Sequence, residues 1–263
     1  MRICRFALED EIAYGVVHGA DESGEITDET VVAVVEGHPL GDLSPDGRIL
    51  PIVDVRLLAP VIPSKVVAVG RNYAAHASEL GNEVPREPMI FLKPSSSVIG
   101  PGEAIVLPWQ SQQVEHEAEL AVVIGRLCRD VPAAQAEDVI WGYTCANDVT
   151  ARDLQRSDGQ WSRAKGFDTF CPLGPWVDTD LRVADSSIRC TVNGHVRQQA
   201  ELTEMIFDVP ALIEAVSSVM TLVPGDVILT GTPAGVGPLH EADAVTVWID
   251  GLGSLRNRVV DRG

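Results

Sequence analysis

Short apolar runs separated by turn-forming clusters dominate the chain, and they predict strands far more often than helices. RICRFAL (2–8), EIAYGVV (11–17) and ETVVAVVEG (29–37) open the sequence. KVVAVG (65–70) and EAELAVVIG (117–125) are compact enough for buried strands, and Asp226 to Thr230 and Ala244 to Ile249 add two more. Asn193-Gly194 and Asp250-Gly251 supply the positive φ angles of tight hairpins. Helical spacing is confined to roughly 73–81, 132–139, 150–156 and 209–219. In the last of these Asp208 is a candidate N-cap, Pro210 falls in the first turn, and Leu212, Ile213, Val216 and Met220 share a face. The fold class is therefore mixed α+β and β-dominated. Pro60 and Pro63 in LLAPVIPSK (57–65) predict a linker. It would separate a small N-terminal β module, residues 1–60, from a main domain, residues 61–263.

Composition narrows the function. Across 263 residues the net charge is −18, with 38 acidic and 20 basic residues. Such a balance disfavours partners bound through phosphates, whether nucleic acid or anionic membrane. No apolar run reaches the roughly 18 residues of a membrane span, and the first fifteen residues lack a signal-peptide layout. The expected setting is the cytoplasm. The five cysteines, Cys4, Cys128, Cys145, Cys171 and Cys190, form no C-x-x-C pair, which fits a reducing compartment. Cys145 and Cys171 lie in apolar segments and read as small buried hydrophobes; no histidine in sequence marks either as a nucleophile. Neither a G-x-G-x-x-G nor a Walker-type loop occurs.

Five segments carry candidate chemistry. In a strand, Glu117 and Glu119 project to one face. That pair either holds a divalent cation through hard oxygen ligands or forms a solvated sheet edge. His116 points the other way, toward surface or packing. Asp148 ends a strand, with Thr150 placed to cap a short helix bearing Arg152, Asp153 and Gln155. That junction is either a third metal ligand beside an acid-binding Arg/Gln pair or an ordinary salt-bridged turn. Lys165 precedes an aromatic-rich turn, a place where lysine is ordinarily on the surface. Thr230-Gly231-Thr232-Pro233-Ala234-Gly235 forms a loop whose glycines permit close approach of a ligand. Finally, His76 and Glu79 are i,i+3 neighbours if helical, either a general-base pair or a weak surface ion pair.

Taken in order and spacing, these segments from about Lys65 to Val260 resemble the fumarylacetoacetate hydrolase superfamily in its shorter bacterial branch. The resemblance implies a β-roll catalytic domain, commonly dimeric, that binds Mg²⁺ or Mn²⁺, with Ca²⁺ a possible occupant. It implies metal ligands at Glu117, Glu119 and Asp148, substrate binding at Arg152, Gln155 and Thr232, and catalysis by Lys165 with a His76–Glu79 dyad on a short closing lid. Glu115 falls outside the ligand set and is expected behind the ligands or exposed. The implied reaction is hydrolysis of a C–C bond in a 2-oxo or 1,3-dioxo acid, of acylpyruvate or fumarylpyruvate type, through an enolate held on the metal. Alternatives within the superfamily are isomerisation or decarboxylation of unsaturated 2-oxo dicarboxylates in aromatic catabolism, and oxaloacetate decarboxylation. A metal-binding scaffold that kept only the fold is the non-enzymatic alternative.

Overall fold

The run at 117–125 becomes the strand Ala118–Ile124, in which every position is buried. Leu120, Val122 and Ile124 enter one apolar cluster while Ala121 and Val123 enter another on the opposite face. Burial on both faces explains why this stretch reads as a continuous apolar run rather than an alternating one. The computed structural model describes residues 1–79 and 81–261. Leu80, within the predicted helix 73–81, and Arg262 and Gly263, at the end of the predicted main domain, lie outside the described residues.

Around this strand a sheet is built in the order Ser44–Pro51, Val31–Glu36, Glu11–His18, Arg2–Leu8, Cys171–Asp178, Ile140–Asn147, Ala118–Ile124, Val227–Leu229, Val66–Gly70 and Met89–Lys93. Its neighbours are antiparallel except where Val227–Leu229 runs parallel to Val66–Gly70. A second sheet, ordered His195–Glu201, Ser187–Val192, Ala244–Ile249, Gly253–Asp261 and Ala104–Leu107, covers one face. Ser187–Val192 and Ala244–Ile249 bury alternate residues, and Ile188, Cys190, Val245 and Val247 pack in the same cluster as Leu120 and Val122. Each such side chain, fully buried, contributes about 1.5–3 kcal/mol. Helix Val209–Val219 closes this layer with Leu212, Ile213 and Val216, capped by Asp208, which accepts a hydrogen bond from Ala211 N. Among the described residues no helix is long and apolar enough to cross a membrane.

Several expectations need correction. Residues 57–65 are not a free linker: Arg56–Leu58 pairs with Arg2–Leu8, and Ala59, Pro60, Val61 and Pro63 are buried. The segment expected as helix 132–139 is a 3₁₀ helix, Ala133–Val139, and among the described residues of the first predicted helix Tyr73 and Gly81 lie outside the helix Ala74–Glu79. Thr150 does not cap helix Arg152–Asp158. It pairs with Glu115 across a short ladder, and its hydroxyl donates to the Asp148 carbonyl. The Asn193-Gly194 hairpin forms with both residues at positive φ. At 250–251 only Gly251 has positive φ, because Ile249 pairs with Gly253 and the connection is three residues long.

Candidate active site

The strand carrying the acidic ladder is interrupted where the chemistry lies. Val114–His116 belongs to a small sheet with Thr150–Ala151 and Gly237–Pro238, and Ala118–Ile124 belongs to the large one, leaving Glu117 at the junction. Two bonds pin that junction: Glu117 N donates to Asn147 Oδ1 at 2.9 Å, and Asp148 N donates to the Glu117 carbonyl at 2.8 Å. Since Ala118 pairs with Asn147, Glu117 and Asp148 are the next residues across from one another. Glu119, two residues along, keeps the same side. Glu117, Glu119 and Asp148 thus each offer an oxygen within 4.8 Å of the others, and they are 4%, 1% and 1% exposed. The solvated-edge alternative is overturned for this pair.

Three cations compensate them. Lys165 Nζ donates to Glu117 Oε2 at 2.6 Å and to Asp148 Oδ2 at 2.7 Å. Lys93 Nζ forms an ion pair with Asp148 Oδ1 at 2.6 Å and donates to the Lys165 carbonyl at 2.5 Å. Arg152 donates through Nε to Glu115 at 2.7 Å, through Nη1 to Gln155 Oε1 at 2.5 Å, and through Nη2 to Glu117. Burial alone would raise the Glu117 carboxyl, yet Lys165 and Arg152 hold it well below the usual range. Glu119 behaves oppositely: burial, then the charges of Asp148 and Glu117, push it well above the usual range. It accepts a hydrogen bond from Gly231 N at 2.6 Å. Burial would lower Lys165, but Asp148 and Glu117 hold it raised and charged.

Eight of the nine residues singled out in sequence line one cleft: His76, Glu117, Glu119, Asp148, Arg152, Gln155, Lys165 and Thr232. Glu79 stands behind it. His76 is buried, with Nδ1 at 3.5 Å from Glu79 Oε2, and burial lowers the imidazole so that it is neutral at pH 7. The Glu79 carboxylate also accepts from Gly235 N at 3.1 Å through both oxygens, tying the short helix to the Thr230–Gly235 loop. Arg152 differs from expectation in one respect. Every guanidinium nitrogen already has a protein acceptor, so a substrate acid would be reached only by the remaining hydrogens of Nη1 and Nη2. Thr232 Oγ1 is likewise engaged, donating to the Ala118 carbonyl at 2.8 Å and accepting from Gln198 Nε2 at 2.7 Å.

Glu115 is buried behind the ladder on Arg152, matching the first of its two expected positions. His116 is buried against Gln198 Oε1 at 2.9 Å and Cys190 Sγ at 3.5 Å, the packing alternative. Cys145 and Cys171 are buried with unreactive thiols, Cys171 pushed up to about 12 by burial. Two residues were missed. Lys93 ends an apolar strand, and a lysine inside such a run is a legible anomaly. Gln198 lies on a mostly exposed strand, His195–Glu201, where only it and Ala200 are buried, and no pattern marks it.

Residues 65–260 match the family described as Fumarylacetoacetate (FAA) hydrolase C-terminal, and residues 1–60 match one described as Rv2993c-like, N-terminal. The human mitochondrial oxaloacetate tautomerase FAHD2A is 48% identical, covering 81% of this chain and 72% of its own length. The crystal structure of 2-hydroxyhepta-2,4-diene-1,7-dioate isomerase from Mycobacterium marinum is 50% identical with a TM-score of 0.91, covering 100% and 99% of the two chains. Maleylpyruvate hydrolase from Sphingobium sp. SYK-6, solved with manganese(II) and pyruvate, is 32% identical with a TM-score of 0.79, covering 99% of each. The relatives differ in reaction but share one architecture, and three quarters of the sequence falls within the family match: this chain belongs to the fumarylacetoacetate hydrolase family.

Proposed function

We propose that this protein is a divalent-metal-dependent enzyme of 2-oxo acids that cleaves the C–C bond of an acylpyruvate-type substrate. The observation that carries the reading is a single cleft that joins three buried carboxylates to a buried, neutral histidine. The donor set fits a hard cation such as Mg²⁺ or Mn²⁺: all its atoms are carboxylate oxygens, and the three residues each bring one within 4.8 Å of the others. Glu117, Glu119 and Asp148 would hold the ion. When bound, it supplies Lewis acidity for the charge that develops on the 2-oxo acid.

The chain's own groups divide the remaining work. Lys165 keeps a fixed positive charge beside the carboxylates, and Gln155, held by Arg152, orients the substrate acid. His76 accepts a proton from water, whose oxygen adds to the distal carbonyl carbon. The bond between that carbon and C3 then breaks. Its electron pair passes to the three-carbon fragment, which takes up a proton at C3 to leave as pyruvate, with a carboxylic acid as the second product. A second reading, proton transfer without cleavage, is supported by the isomerase and the tautomerase, both more similar than the hydrolase. There His76 would move a proton between carbon and oxygen of the substrate.

One panel separates the two. Acylpyruvates, the enol of oxaloacetate and an unsaturated 2-oxo diacid are supplied with Mg²⁺ or Mn²⁺, following both pyruvate release and enol absorbance. Hydrolysis is expected to release pyruvate; enol loss with no pyruvate from any acid favours the second reading. Chelated protein and Glu119→Gln, still folded by circular dichroism, are expected to lose at least tenfold in activity. Full turnover by metal-free enzyme would sink both readings.

A further inference from the structure

Three cationic side chains line the cleft, and two are already committed to its carboxylates: Arg152 to Glu115 and Glu117, Lys165 to Glu117 and Asp148. The third, Arg71, makes no hydrogen bond or ion pair among the described residues, and it also borders the adjoining groove beside Phe91 and Trp161. Its backbone is left-handed, φ +59°, a conformation that costs a non-glycine residue about 1 kcal/mol or more. The strain is held in place by its neighbour. Asn72 is fully buried; its amide donates to Phe207 O at 2.9 Å and Thr230 O at 2.7 Å, and its side-chain oxygen and carbonyl accept from Phe207 N and Ile206 N at 2.8 Å each. The backbone of Arg71 is thus fixed where the carboxylate cage meets an aromatic wall, with Phe91 and Trp161 standing edge to face at 5.1 Å, and its guanidinium is left unpaired.

We propose that Arg71 is the specificity-determining residue for a distal carboxylate, so that the preferred substrates are 2-oxo dicarboxylic acids whose carbon chain runs along Phe91 and Trp161. Bidentate pairing suits a planar carboxylate to this fork. The inference rests on the 2-oxo-acid reading of the cleft, and its test is therefore binding rather than turnover. 2-Oxoglutarate and 2-oxopentanoate have the same five-carbon chain and differ only at the far end. With Mn²⁺ present, calorimetry is expected to show 2-oxoglutarate bound at least tenfold more tightly. Arg71→Met should abolish that preference while leaving 2-oxopentanoate within about threefold of wild type. Arg71→Gly, which suits the left-handed backbone, should do the same, and Arg71→Lys should restore part of it. Equal loss of both ligands in the variants, no preference in wild type, or no binding of either acid would overturn the proposal. A preserved preference with no turnover of any 2-oxo acid would instead defeat the functional reading and leave the subsite standing.

Discussion

At the scale of single residues, His76, the base of the proposed reaction, shows what burial does to an imidazole. Its imidazole is held below the ordinary value of about 6.5 mainly because the charged form would lose hydration, with Arg152 adding to the effect. The neutral form therefore persists to lower pH than it would in an exposed histidine. Catalytic rate should be level near pH 7 and fall only below about 6.5, on an acid limb that a pH–rate profile reads and that His76→Gln eliminates with the activity. Stability follows the same sign. The unfolded chain binds this proton first, so the contribution of His76 is complete above about 6.5 and is lost as pH falls toward the folded value. Legibility at this scale was uneven. Glu117, Glu119 and Asp148 could be read because carboxylates beside apolar runs violate the usual pattern. Arg71 could not, since its meaning depends on which of the cleft's cations already have partners.

At the scale of elements, long-range pairing decided what local propensity could not. Thr150 has the residue type of a helix cap, but its ladder partner, Glu115, lies 35 positions earlier and claims it. Pro60 and Pro63 read as a linker from composition alone, yet the adjoining strand on Arg2–Leu8 draws the segment into the core. The Asp208 cap and the face of the 209–219 helix were legible because both are fixed within one helical turn. The loop after Val227–Leu229 offers a sharper test. Gly231 has φ +96°, donates to Glu119, and a Cβ there would stand 2.6 Å from Asn72 Cβ. Gly231→Ala should cost about 2–3 kcal/mol and lower the melting temperature by roughly 4–10 °C. It should also weaken metal binding through the displaced Glu119, as titration with Mn²⁺ would measure. Unchanged melting and affinity would mean that the loop is less rigidly seated than its contacts imply.

At the scale of the whole molecule, the N-terminal strands continue the catalytic sheet. Arg2–Leu8 pairs with Cys171–Asp178, whose partner on the other side is the strand leading to Asp148. Trp176, fully buried, packs among Cys4, Phe6, Val17 and Val32. Deleting residues 1–60 would bare this indole and a strand edge together, and the truncated chain should aggregate or bind a hydrophobic dye far more strongly than the full chain. A monodisperse, active truncation would contradict that reading. Charge follows the same division. Twelve of the 38 acids but only four of the 20 bases lie in residues 1–60, whereas the cleft sets Arg71, Arg152 and Lys165 against Glu117, Glu119 and Asp148, with Lys93 and Glu115 paired behind them. The anionic substrate proposed above would therefore meet a nearly balanced site inside an acidic protein, and a bound divalent cation would tip that site positive.

The aromatic wall gives the molecule an optical property. Among the five tryptophans, Trp161 is the one that lines the cleft, and its ring lies so close to Gly70 that a Cβ at that position would fall 2.7 Å from it. An indole seated against backbone at the edge of a charged cavity is a built-in fluorophore. Its emission can follow which acids enter the cleft, and at what concentration, whether or not any of them reacts.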